Sequence, residues 1–92
     1  RVFLGASALG SKGPMAWNLE EGAVETAFAR QAQQTILLTE SAKGRRSSLY
    51  QFMEYADVQM LITDSDNPLN EELKDALQRA CVEVRFVEVV NE

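Results

Sequence analysis

The residues best suited to chemistry follow a short apolar run in the middle of the chain. Thr35–Thr39 is rich in aliphatic side chains, and the segment Glu40–Arg46 that follows it combines a serine, a glycine and three cations. An apolar run without alternation predicts a strand covered on both faces of a parallel sheet. Ligands of such sheets bind beyond the carboxyl ends of the strands. The segment is therefore a candidate anion site, with four ligand residues: Ser41, Lys43, Gly44 and Arg45.

A second candidate turn closes the first apolar run of the chain. Val2–Leu4 predicts a strand, and Gly5, Ala6 and Ser7 follow it directly. Because parallel strands end at one edge of a sheet, we expect this turn to lie near Lys43. Glycine admits a ligand close to the backbone, and a serine hydroxyl can hydrogen-bond to it. For both segments a plain solvated turn is the alternative interpretation.

Composition limits what such a site can do. The chain has 92 residues, a net charge of −5, no histidine and a single cysteine, Cys81. The length allows one domain, and the lone cysteine, which we expect to be buried, favours a reducing, cytoplasmic setting. Without histidine there are no imidazole metal ligands or His-based triads, and we expect no metal or cofactor. The negative charge disfavours nucleic-acid binding by this chain. A strand that starts at the first residues suggests a piece of a longer protein.

The remaining patterns alternate between helix and strand. We predict an irregular loop over Ala8–Trp17, then a helix over Leu19–Gln33 capped by Asn18. The apolar stripe of this helix comprises Leu19, Ala23, Val24, Ala27 and Phe28. Gly22 interrupts the helix, which favours close packing on the sheet.

The second half of the chain repeats the alternation. Ser47–Asp57 fits either a short helix or an extended segment, and Met60–Thr63 predicts a strand. A helix with Pro68 at its first position is expected to run to Ala80, before a last strand over Val82–Val87. The order β-α-β-(α)-β-α-β predicts an α/β fold with a parallel sheet and right-handed crossovers.

Several motifs taken together resemble one protein family. They are Gly5-Ala6-Ser7-Ala8-Leu9, Asn18-Leu19-Glu20-Glu21, Leu37 to Lys43, Arg46-Ser47-Ser48-Leu49 with Phe52, Asp57-Val58, Leu61 to Asp64, and Val82-Glu83-Val84. In this order they resemble the C-terminal sensor domain of DeoR-type bacterial transcriptional regulators. Where the family has an aspartate, a serine, an aromatic residue and a glycine around the lysine, this chain has Glu40, Ala42, Gly44 and Arg45.

The resemblance implies a fold and a role. The fold would be a three-layer α/β unit similar to ribose-5-phosphate isomerase and CoA-transferases, of which residues 1–92 are one part. The N-terminal winged helix-turn-helix that binds operator DNA and the first part of the sensor domain would be absent. The role would be sensing a phosphorylated sugar or polyol, by a repressor that is a homo-oligomer. Gly5, Ala6, Ser7 and Lys43 match positions of the family's glycine turn and loop lysine.

Two other functions stay open at this point. One is a sugar-phosphate isomerase, although the turn after the first strand holds no carboxylate to act as a base. The other is an oligomerisation module that binds no ligand, in which four aromatic residues would mark the interface: Trp17, Tyr50, Phe52 and Tyr55.

Overall fold

The structure, a computed structural model, describes residues 1–45 and 48–88, with only the backbone of Arg45. These described residues form seven strands: β1 (Val2–Leu4), β2 (Ala8–Leu9), β3 (Pro14–Ala16), β4 (Thr35–Leu38), β5 (Tyr50–Gln51), β6 (Met60–Asp64) and β7 (Glu83–Val87). Two α-helices accompany them, α1 (Leu19–Gln31) and α2 (Glu71–Arg79), with 3-10 helices at Ser41–Arg45 and Tyr55–Asp57. Among these residues no helix is long and apolar enough to cross a membrane.

The main sheet is parallel, with strand order β1-β4-β6-β7. Each successive strand is added on the same side, so right-handed crossovers place the connecting elements on one face. The core lies on that face, where Leu37 and Leu61 of the central strands pack with Leu73 and Leu77 of α2. The predicted α/β class with a parallel sheet is confirmed.

The other face of the main sheet is different. It carries Phe3, Ile36, Leu38 and Val87, which alternate with the core residues of their strands. Phe3 is 55% exposed, Leu38 46% and Val87 48%. The prediction that both faces of the second strand are covered is therefore wrong at Leu38. This face of the main sheet, on which Ile36 is buried and Phe3, Leu38 and Val87 are exposed, is called the open face below.

The predicted loop over Ala8–Trp17 is wrong, because most of it forms a hairpin. β2 pairs with β3, and β3 with β5, in a second, antiparallel sheet. The glycines lie in the tight turn between β2 and β3, where the Gly10 N–H donates to the Gly13 carbonyl at 3.0 Å. Gly13 is required there, since a Cβ at this position would lie 1.9 Å from the Met53 carbonyl oxygen.

Both predicted helices are present with shifted ends. α1 ends at Gln31 rather than Gln33, and its apolar stripe is wrong because Leu19, Val24 and Phe28 are exposed. Gly22 is the buried residue of α1, and a Cβ there would lie 3.3 Å from the Phe52 Cβ. Close packing of Gly22 is thus observed, against β3 and the segment after β5.

α2 begins at Glu71 rather than Pro68. Its N-cap is Asn70, whose Oδ1 accepts from the Leu73 N–H at 2.8 Å. At the other end, Cys81 adopts a left-handed backbone with φ 60°, while the Val82 N–H donates to the Leu77 carbonyl. This turn exposes Cys81, so its predicted burial is wrong.

Candidate functional site

The two candidate turns lie at the carboxyl ends of neighbouring strands, as the sequence predicts. Gly5–Ser7 follows β1 and the Ser41–Arg45 3-10 helix follows β4, which pairs with β1. The short strand β2 packs against this 3-10 helix. The Ser7 Oγ lies 2.7 Å from the Ser48 Oγ, so the segment after the 3-10 helix returns to the first turn. Arg46 and Ser47, which belong to the quoted motif, lie outside the described residues.

Asp64, at the end of β6, holds the start of the 3-10 helix. The Ser41 N–H donates to Asp64 Oδ1 at 2.7 Å, and the Ser41 hydroxyl donates to Oδ2 at 2.5 Å. These bonds stabilise the carboxylate and lower the pKa of Asp64, the hydroxyl bond having the largest effect. A charged aspartate at this position therefore ties the loop after β4 to the end of β6.

Two asparagines of the β6–α2 connection complete the support. Asn67 donates to the Ser41 Oγ through its backbone N–H at 3.0 Å and its side-chain amide at 3.2 Å. The Asn70 amide donates to the Gly44 carbonyl at 3.2 Å while its oxygen caps α2. Asp64, Asn67 and Asn70 are called the polar support below. Sequence reasoning placed Asn67 at a helix start and missed these contacts, which join residues 23 to 26 positions apart.

The predicted ligand residues of the 3-10 helix differ in accessibility. Ser41 is 1% exposed, with its hydroxyl bonded to Asp64 and Asn67. Gly44 is buried, and a Cβ there would lie 3.3 Å from Leu73 Cδ2. Lys43 is half-buried and forms no ion pair with any residue that the structure describes. The cation is therefore the group of this helix best placed to meet a ligand.

The polar groups of the turn after β1 are the backbone groups of Gly5–Ser7 and the Ser7 hydroxyl. Gly5 is exposed, Ala6 and Ser7 are half-buried, and a Cβ on Gly5 would lie 3.9 Å from the Leu38 carbonyl oxygen. The Ser7 Oγ also lies 3.0 Å from the Met15 carbonyl, so this side chain fixes the turn against β3. Within residues 1–45 and 48–88 no cluster of metal-ligating side chains is found.

The aromatic residues considered for an interface fall into two groups. Tyr55 is buried, and its hydroxyl donates to the Gly10 carbonyl at 2.7 Å. Burial raises the pKa of Tyr55. Trp17 is 63% exposed and Tyr50 38%, whereas Phe52 is half-buried. The prediction that all four mark an interface is therefore wrong for Tyr55.

Comparison with known proteins identifies the family. No curated protein matches the chain. A family model described as the DeoR C-terminal sensor domain matches residues 1–65, which include β1 to β6 and both candidate turns. Because the match covers more than half of the 92 residues, the chain belongs to the DeoR C-terminal sensor domain family.

Proposed function

We propose that this domain binds a phosphorylated sugar or sugar alcohol at the carboxyl edge of the main sheet and so controls operator binding. Family membership gives the domain an effector-sensing, regulatory role in a DeoR-type regulator. We also propose that the regulator is a cytoplasmic repressor, in which an N-terminal winged helix-turn-helix outside this chain contacts operator DNA.

The observation that carries the proposal is the position of Lys43. Its 3-10 helix is held at both ends by the polar support, at the edge where the Gly5–Ser7 turn also lies. Lys43 itself forms no ion pair with a described residue. A cation on a fixed support, which no carboxylate of the described residues neutralises, suits a phosphate group. Ser41 and Gly44 then position the lysine, while Gly5 leaves room for the ligand.

The test compares Lys43→Ala with Lys12→Ala in the intact regulator. Lys12 is an exposed lysine in the turn between β2 and β3, away from the carboxyl edge, and serves as the matched control. Titration calorimetry against a panel of sugar phosphates and their unphosphorylated counterparts gives the affinities. Loss of a charged hydrogen bond of about 1.5–3 kcal/mol predicts a roughly 10- to 150-fold weaker affinity in Lys43→Ala alone. Equal affinities of Lys43→Ala and the wild type for the phosphorylated ligands would refute the role of Lys43.

We further infer that residues 1–92 are one part of a larger sensor domain. The support is the open face, together with Val24 and Phe28 of α1, which line a groove of about 360 Å³ beside Phe3. An apolar surface of this kind is typical of a contact with further protein. An additional segment of the regulator that covers it would bury Phe28, so Phe28→Ala should destabilise the intact regulator more than residues 1–92 alone.

A further inference from the structure

The outer edge of β7 has the properties of a pairing surface. No strand within residues 1–45 and 48–88 pairs with this edge. The Glu83 N–H donates to the Gln59 carbonyl at 3.1 Å, toward β6. Since backbone groups alternate in direction along a strand, Glu83, Arg85 and Val87 bond to β6, and Val84 and Phe86 direct their N–H and C=O groups outward. The free backbone groups of β7 can therefore accept another strand.

The side chains of β7 are charged on one face and apolar on the other. Glu83 and Arg85 lie on the open face and form an exposed ion pair, with Arg85 Nε 2.7 Å from Glu83 Oε2. On the core side, Phe86 is 55% exposed beside α2. It lines a cavity of about 330 Å³ together with Leu77 and Val82. Phe86 and the apolar residues that line this cavity form a contiguous surface of the kind found at protein contacts.

We propose that β7 pairs with β7 of a second copy of this chain, antiparallel around a two-fold axis at Val84. In this register Glu83 of each copy stands opposite Arg85 of the other. The Val84 residues exchange their backbone hydrogen bonds across the axis, and Phe86 stands opposite Val82 of the second copy, next to its cavity. The two four-stranded sheets become one continuous sheet.

Charge selects this register over its neighbour. A shift that places Val84 opposite Phe86 would bring the two Arg85 side chains directly opposite each other, and like charges in that position are destabilising. In the proposed register the opposed charges form two complementary pairs. The pattern is self-complementary, as an isologous two-fold interface requires. Charged residues on an edge strand also protect against unwanted pairing, and that is the competing explanation of Glu83 and Arg85.

Substitutions that exchange the charges of Glu83 and Arg85 in the intact regulator distinguish pairing of two β7 strands from protection of a free edge. Glu83→Arg gives a copy with two cations on β7, and Arg85→Glu gives one with two anions. Each variant alone should self-associate at least about tenfold more weakly than the wild type in sedimentation velocity. An equimolar mixture of the two should restore a heterodimer. The double variant Glu83→Arg/Arg85→Glu should associate like the wild type, which also shows that these positions tolerate the exchange.

The control pair is Glu71 and Lys74, an exposed ion pair on α2 with a distance of 3.6 Å. Glu71→Arg and Lys74→Glu should leave association unchanged. A monomeric wild type, single variants that associate as the wild type does, or a mixture that stays dissociated would each overturn the proposal.

Crosslinking tests the register itself in a Cys81→Ser background. Residues opposite each other at a non-hydrogen-bonded position have Cα atoms about 4.5 Å apart, within the range for a disulfide. A mixture of Glu83→Cys and Arg85→Cys copies should form a disulfide-linked dimer on oxidation, and neither variant should do so alone. Crosslinking of Arg85→Cys with itself would instead indicate the shifted register and overturn the one proposed.

Discussion

Helix α2 buries Leu73 and Leu77 in the core, whereas α1 buries Gly22 and leaves Val24 and Phe28 exposed. Both helices begin with an asparagine N-cap that accepts a backbone N–H at 2.8 Å. They differ in what lies beneath them, since α2 packs on the main sheet with leucines and α1 approaches β3 through a glycine. The leucines of α2 are thus buried by residues of this chain, whereas the large apolar residues of α1 remain at the surface.

The largest expected difference is between a core leucine of α2 and an exposed phenylalanine of α1. Leu73→Ala should lower the free energy of unfolding by about 2–5 kcal/mol, because it removes buried methyl groups and leaves a cavity. Phe28→Ala should change it by less than about 0.5 kcal/mol in residues 1–92. Urea unfolding monitored by circular dichroism measures both. A loss of several kcal/mol from Phe28→Ala in residues 1–92 would show that α1 already buries this side chain.

In the intact regulator the same two substitutions should differ in another way. There the cost of Leu73→Ala should be unchanged, since its neighbours lie within this chain. The cost of Phe28→Ala should rise if a further segment covers the α1 side. Equal costs of Phe28→Ala in both proteins would contradict the inference that the sensor domain extends over this surface.

The sequence predicts the α2 side better than the α1 side for a physical reason. The spacing of Leu69, Leu73 and Leu77 reports burial because the covering residues belong to the same chain. The apolar residues of α1 have the same kind of spacing, yet nothing described here covers Val24 or Phe28. The spacing of apolar residues indicates that one face of a helix is apolar, but it does not indicate what covers that face.

The site shows the same limit at shorter range. The strand ends and the position of Lys43 follow from the apolar runs and the loop residues after them. The bonds from Asp64, Asn67 and Asn70 depend on tertiary placement, and an Asp-Ser-Asp-Asn turn is equally typical of a helix start. The sequence alone therefore indicates Lys43, but it does not indicate that the polar support holds the 3-10 helix of this lysine in place.

A smaller difference is expected between the two N-caps. Asn18→Ala and Asn70→Ala each remove a capping bond worth about 0.5–2 kcal/mol. Asn70→Ala should cost more, and should also weaken effector binding, because its amide donates to the Gly44 carbonyl. Urea unfolding and calorimetry of the intact regulator measure the two effects. Asn70→Asp keeps the capping oxygen and loses the amide donor, so it should reduce effector affinity while retaining the cap. Unchanged effector affinity in both Asn70 variants would show that Asn70 does not support the binding site.

The smallest expected effect is the pH dependence of stability that comes from two carboxylates, Glu25 on α1 and Asp64 before α2. Glu25 of α1 is half-buried, and its Oε2 has no hydrogen-bond partner among the described residues. Burial raises the pKa of Glu25, and the nearby charge of Glu21 raises it further. Asp64, which precedes α2, has the opposite shift, because bonds from Ser41 lower its pKa. The two groups should therefore give the free energy of unfolding opposite dependences on pH.

The sign of each pH dependence follows from whether the folded or the unfolded state binds the proton more tightly. Folded Glu25 binds its proton more tightly than unfolded Glu25, so its charge destabilises the fold at neutral pH and the penalty diminishes as the pH falls toward the ordinary value of 4.5. Glu25→Gln should be more stable than the wild type at pH 7, with an advantage that shrinks as the pH falls toward 4.5. Asp64 stabilises the fold above its unfolded pKa, and that contribution is lost as the pH falls through the lower folded value. Asp64→Asn should thus be less stable than the wild type at pH 7, by a margin that narrows in acid. Urea unfolding of both variants across this pH range measures the slopes, and slopes of the same sign would contradict the environments assigned to the two carboxylates.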